Sequence, residues 1–274
     1  MLQDAGRLFL AKWVEYAARV NYDLLVHEAW PAYEQHVHDG WVFRYAGGVT
    51  KRANSVLALT RPADLDGAIE AAEGFYGERG QRCVFSLGPN AAPGLDEALE
   101  RRGYELVDPT VVMAGSPAGR AAREVRIEDR PWRGWLEAWW AVDGRYGSGF
   151  EDAERICTGV PAWYAAYEED GVALAVGRAV PQGDTPDAAQ GDVPGTPGME
   201  EPAASCGDML GIYCMATLPQ ARRRGLARAV LRALVRHARA ERAYLVTTAP
   251  NLAAQALYRG EGFEVVGGYH YRVR

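Results

Sequence analysis

The chain has 274 residues, 48% of them hydrophobic and 24% charged, with eight Trp and fourteen Tyr, which suits one large or two modest globular domains of roughly 100–200 residues each. A net charge of −6 argues against a general nucleic-acid binder, which usually carries a basic surplus. No apolar run approaches the ~18 residues of a membrane span, and the N-terminus lacks a basic stretch followed by an apolar one, so a cytoplasmic protein with no membrane partner is expected.

Taken in chain order, residues 4–30 have helical periodicity and stop at Pro31. Residues 41–46 and 55–59 alternate as strands joined by a Gly-Gly turn. The loop between them, 47–55, lacks the spacing of a nucleotide-binding loop; it reads as a hairpin turn, with a contact to substrate or to the other half as the alternative. Residues 62–78 form a helix with Pro near its start, 82–87 a strand, 95–102 a short helix, and 104–113 an extended segment interrupted by Pro109. Residues 115–122 are small and turn-rich, the composition of a linker.

A second β/α series follows. Residues 124–127 are a strand, 133–142 and 151–157 helices, and 163–168 and 172–180 strands. Residues 181–207 are rich in Pro, Gly, Asp and Ala and poor in aliphatics, so they read as a flexible insertion. Residues 209–218 are a strand and 225–240 an amphipathic helix whose Ala227, Val230, Leu231, Leu234, Val235 and Ala238 share one face. A strand at 243–248, a helix at 252–259 and closing strands at 263–266 and 269–273 complete the chain. Cys83, Cys157, Cys206 and Cys214 form no CxxC pair, so free thiols are expected. His27, His36 and His38 lie near Glu28 and Asp39 but lack a metal-ligand spacing, and surface or capping roles are expected, with no metal.

The segment Thr217-Leu218-Pro219-Gln220-Ala221-Arg222-Arg223-Arg224-Gly225-Leu226-Ala227 leads from a strand to a helix start. There the first N–H groups have no partner inside the helix, and with the helix dipole they suit a pyrophosphate. The three arginines oppose that dipole at about 0.3–1 kcal/mol each unless an anion binds; a solvated charge run is the alternative reading. Farther on, Asn251 can cap the next helix, Ala254 and Leu257 pack inward at helical spacing, and Gly262 suits the helix end.

These two segments resemble the pyrophosphate loop Arg/Gln-x-x-Gly-x-Gly/Ala and the Asn-x-x-Ala-x-x-Leu-Tyr-x-x-x-Gly-Phe signature of the GCN5-related N-acetyltransferases (GNAT). The match runs through Arg222, Gly225 and Ala227, then Asn251, Ala254, Leu257, Tyr258, Gly262 and Phe263. Thr217 stands where the family usually has Val. The resemblance implies a mixed α/β fold: a twisted, mostly antiparallel sheet flanked by helices. It also implies acetyl-CoA as acyl donor, bound by Met215, Ala216, Thr217, Arg222, Arg223, Arg224, Gly225, Leu226, Ala227, Asn251 and Ala254. An amine would attack the thioester directly, a backbone N–H near Met215 to Thr217 would hold the oxyanion, and Tyr258 would protonate the leaving thiolate. A non-catalytic acyl-CoA sensor on the same scaffold is the alternative; it would not need Tyr258.

Glu168, Glu169, Asp208, Tyr213 or water are the candidates for the base. Trp139, Trp140, Tyr146 and Phe150, with Asp143, Glu151 and Asp152, either shape an acceptor pocket, as this region does in the family, or form a core with an acidic rim. The acceptor is expected to be a small-molecule or peptide amine, and the protein a monomer or homodimer.

The first half repeats the later pattern. Val84 to Asn90, a helix, then Gly103-Tyr104-Glu105 parallels Leu245 to Asn251, a helix, then Gly262-Phe263-Glu264. Two tandem domains are expected, 1–117 degenerate and 118–274 catalytic, since Leu99 or Ala98 stands where the second half has Tyr258.

Overall fold

The structure, a computed structural model, describes residues 20–117, 119, 122–144, 149–183 and 209–274. The first half supplies β1 (Glu34–His38), β2 (Trp41–Tyr45), β3 (Val56–Leu57), β4 (Val84–Leu87) and β5 (Glu105–Gly115). The second supplies β6 (Arg126–Glu128), β7 (Trp163–Glu169), β8 (Val172–Gln182), β9 (Met209–Thr217), β10 (Ala243–Thr248) and β11 (Phe263–Val273). The helices are α1 (Tyr22–Ala29), α2 (Leu65–Gly77), α3 (Leu95–Arg101), α4 (Arg133–Asp143), α5 (Phe150–Cys157), α6 (Leu226–Ala238) and α7 (Leu252–Arg259).

The eleven strands of the described residues join one sheet, in the order β1-β2-β3-β4-β11-β5-β10-β9-β8-β7-β6. The pattern reads the same from either side of its centre. β3 and β4 are parallel, as are β9 and β10. β4 is antiparallel to β11, and β10 to β5. At the centre β11 and β5 pair antiparallel from Phe263 opposite Gly115 to Val273 opposite Glu105. The last strand of each half therefore lies between the last two strands of the other. The repeat in the sequence is a repeat in the fold, and the halves are interlocked by strand exchange.

Local chemistry explains most of the elements. Asp64 caps α2 by accepting from the Gly67 N–H at 3.1 Å, and Asn251 caps α7 by accepting from Ala254 at 3.2 Å. α6 buries Leu226, Ala229, Val230, Leu231, Leu234, Val235 and Ala238 against β7, β8 and β9. A second cluster joins the halves: Tyr22, Leu25 and Trp30 pack with Trp135, Trp139, Ile156, Tyr213 and Tyr244. Buried polar contacts fix this seam. Arg178 donates to the Ala29 carbonyl at 2.9 Å and Gln182 to the Leu25 carbonyl at 2.7 Å.

Four expectations are corrected. Residues 263–273 form one strand, not two. The Gly267-Gly268 pair marks an irregularity rather than a turn, and a Cβ on Gly268 would come within 2.7 Å of the Thr110 carbonyl oxygen across the ladder. Pro109 does not end β5, but the pairing with β11 slips register there, between Thr110 opposite Tyr269 and Val107 opposite Tyr271, where Asp108 takes φ +48°. The strand β1, carrying His36 and His38, was not anticipated. In α7 the buried face is Gln255 and Tyr258, while Ala254 and Leu257 are half-buried. Residues 1–19 and all of the expected insertion past Gly183 lie outside the described residues, but its first two residues, Pro181 and Gln182, end β8.

Candidate active site

β9 and β10 pair only over Leu210–Ile212 and Ala243–Leu245. Beyond that they part: β9 continues to Thr217 bonded only to β8, and β10 to Thr248 bonded only to β5. The parting coincides with a register shift opposite Val176 and Arg178, where Cys214 has φ +52°. This bulge re-aims the strand and leaves its edge at Met215 to Thr217 open to a ligand that adds as an extra strand.

The strand ends in a 3-10 turn, Pro219–Ala221, and then in the arginine loop. Arg223 and Gly225 both take positive φ, +63° and +77°. Gly225 is the N-cap of α6 and supplies no side-chain acceptor, so the first N–H groups of the helix lack a partner there. A Cβ on Gly225 would meet nothing within 4 Å; its glycine answers to backbone conformation and leaves the approach to those N–H groups open. Arg222 donates to the Thr217 carbonyl at 3.2 Å, and Arg224 pairs with Glu169.

Met215, Leu226, Ala254 and Tyr258 share one apolar cluster on the α6 face of the sheet, while Ala216 packs on the opposite face. Tyr258 is buried, its ring edge-on to Phe263 at 6.1 Å. Its hydroxyl makes no hydrogen bond to a described residue, and burial pushes its pKa up to about 12. Asn251 is committed to capping α7, and Ala227 lies in the first turn of α6.

The candidate bases are variously engaged. Glu168 accepts from Trp132 Nε1 at 2.9 Å. Hydrogen bonds from Arg224 and Tyr167 hold Glu169 below the usual carboxylate range. Tyr213 is hydrogen-bonded to Tyr244, and burial pushes its pKa up, the wrong direction for a base at neutral pH. Asp208 lies outside the described residues, as does Tyr146.

Trp139 is core, 4% exposed, yet it also lines a cavity with Trp140 and Asp143. Asp152, on the half-buried rim, accepts from Tyr33 of the first half at 2.7 Å. Sequence reasoning missed the first half's share of this cavity, Trp30, Val49, Thr50 and Arg52; the only signal was the glycine-rich run ahead of Arg52. Among the described residues no group of three or more His, Cys, Asp or Glu could hold a metal ion, and no helix is long and apolar enough to cross a membrane.

The chain is similar to known acetyltransferases over most of its length. Residues 25–274 match the family described as probable histone acetyltransferase Rv0428c C-terminal. An uncharacterized N-acetyltransferase, YobR, of Bacillus subtilis (strain 168) is 27% identical over 263 residues, covering 91% of this chain and 96% of its own. A GCN5-related N-acetyltransferase from Kribbella flavida superposes with TM-score 0.59 at 17% identity, over 94% of this chain and 95% of its own. A tandem GNAT protein from the clavulanic acid biosynthesis pathway does so with TM-score 0.51 at 13% identity, over 96% and 94%. At these identities the two structures speak for the fold alone.

Proposed function

The chain belongs to the Rv0428c C-terminal family, and with it to the GNAT acyltransferases; from that premise we propose that it moves an acetyl group from acetyl-CoA to a primary amine by direct attack, with its one cosubstrate site in residues 118–274. The observation that carries this is the parting of β9 and β10 at the Cys214 bulge, directly upstream of an uncapped helix N-terminus.

Acetyl-CoA, when bound, supplies the acyl group as an activated thioester. The N–H groups opening α6, with Arg222, Arg223 and Arg224, would neutralise the pyrophosphate. The free edge of β9 at Met215, Ala216 and Thr217 would hold the pantetheine arm and offer an N–H to the carbonyl oxygen as it gains charge. Leu226 and Ala254 would wall the thioester, and Asn251 would keep α7 in place. The amine nitrogen bonds to the carbonyl carbon and the carbon–sulfur bond breaks. Tyr258 gives its proton to the departing sulfur, and the new amide loses one to water.

Calorimetric titration with acetyl-CoA, beside an Arg224→Glu, Gly225→Glu double variant, tests the assignment. Saturable 1:1 binding that the variant loses is expected. Two sites per chain would mean the first half also binds, and absence of binding would remove the reading. Binding without transfer to any amine in a broad screen would favour an acyl-CoA sensor.

A further inference from the structure

The cavity between the two halves is lined by one carboxylate, Asp143, and by three buried N–H groups that make no hydrogen bond, those of Trp30 Nε1, Trp139 Nε1 and Arg52 Nε. Trp30 and Trp139, each 4% exposed, line it, and neither indole N–H has a partner. Arg52 lines it too. Its guanidinium lies 5.5 Å from the Trp30 ring centroid, its Nε is buried and unpartnered, and no carboxylate among the described residues forms an ion pair with it. Burial opposes its charge, but the oxygens of Tyr269, Tyr271 and Asp143 outweigh burial and favour it. Buried polar groups are almost always satisfied, and three unsatisfied N–H groups on residues that line one cavity call for an acceptor-rich partner. Removing a cation from water without one costs more than any single hydrogen bond returns.

The cavity adjoins the site where acyl transfer is proposed. Trp30 stacks edge-on against Tyr213 of β9 at 5.7 Å. Ile156 lines the cavity, and the next residue, Cys157, has its Sγ 3.9 Å from that of Cys214 at the bulge. The space is small, ≈ 30 Å³, which fits a head group rather than a whole molecule.

We infer that this cavity binds the carboxylate of the acceptor, so that the substrate is an amine bearing a carboxylate, an amino acid or a close relative, with its anionic end held by Arg52, Trp30 and Trp139. This rests on the acyl-transfer reading above. It also gives the first half a part in the reaction, since Arg52 and Trp30 reach the substrate from a half that carries no counterpart of Tyr258.

The test pairs each of the common L-amino acids with its decarboxylated amine as acceptors, in the wild type and in Arg52→Gln, Arg52→Lys and Trp139→Phe. Acetyl-CoA binding is measured on the same samples. Amino acids should exceed their matched amines in kcat/KM. Arg52→Gln should raise KM for the acids roughly ten-fold or more while leaving acetyl-CoA affinity and amine turnover unchanged. Arg52→Lys should restore part of the loss. Trp139→Phe, which keeps an aromatic ring and removes the N–H, should raise KM for the acids alone. Preference for the amines, no transfer to any acid despite acetyl-CoA binding, or an Arg52→Gln effect equal for acids and amines would each overturn the inference. Failure of the wild type to bind acetyl-CoA would instead strike the acyl-transfer reading on which it stands.

Discussion

Tyr258 is the residue at which the chemistry can be tested most directly. A tyrosine is neutral while protonated, so burial raises its pKa from ~10 and keeps the proton on the oxygen proposed to donate it, up to about pH 12. A loss of rate between neutrality and pH 10 therefore has another origin. Replacing Tyr258 with Phe should lower kcat by about 10²–10⁴-fold, the range for a lost general acid, and leave acetyl-CoA affinity within about two-fold. Stability follows the same direction. Burial favours the protonated folded form, so its contribution is intact below ~pH 10 and is lost as pH rises toward 12. Tyr258→Phe should blunt alkaline unfolding in that window. Unchanged turnover would remove Tyr258 from the mechanism; a fall matched by weakened acetyl-CoA binding would make it a packing residue.

At the scale of elements, the position of α6 depends on a clasp to the turn after α7. Glu261, its side chain fully buried, accepts from Arg232 at 2.6 Å and forms an ion pair with Arg228 at 2.5 Å. Arg228 and Arg232 lie one turn apart on α6, so a single carboxylate holds two points of the helix whose N-terminus is proposed to meet the pyrophosphate. Glu261→Gln keeps the shape and removes the charge, and should cost about 2 kcal/mol, the scale of hydrogen bonds to an ionised group, read as a lower urea midpoint with unchanged slope. A midpoint equal to the wild type would mean that the clasp is dispensable. This clasp was not legible in the sequence, where Arg228 and Arg232 read only as residues off the apolar face. What was legible is what is local. The loop 222–227, the Asn251 cap and the Gly262 turn each depend on residues within one strand–helix junction, and the structure places them as read. β1 was missed because its five residues, Glu34 to His38, include one aliphatic, Val37, and that is exposed. The cavity was missed for another reason: Arg52 and Trp139 are far apart in sequence, and no periodicity records their meeting.

For the whole molecule, the exchange of β5 and β11 turns a tandem chain into one sheet. We place the division at 117/118, yet the second half taken alone would lack β5, the strand that separates β10 from β11. β10 pairs along its whole length with β5, Ala243 opposite Gly115 to Thr248 opposite Thr110, but with β9 over only three residues. Without β5 the strand preceding the Asn251 cap keeps half a ladder, and the apolar Met113, which β5 gives to the core of the second half, is gone. Unpaired edges of this kind drive aggregation. Residues 118–274 expressed alone should therefore fail to give a soluble monomer that binds acetyl-CoA, whereas co-expression with 1–117 should restore both, since each fragment brings the strand the other lacks. A protease site inserted between residues 115 and 122 gives the complementary measurement. The cut fragments should co-elute on size exclusion and melt in one transition, as the uncut chain should. A second-half fragment that is monomeric, folded and binds acetyl-CoA would show that β5 is an ornament on a self-sufficient domain. It would leave Arg52 and Trp30 as the first half's remaining hold on the reaction.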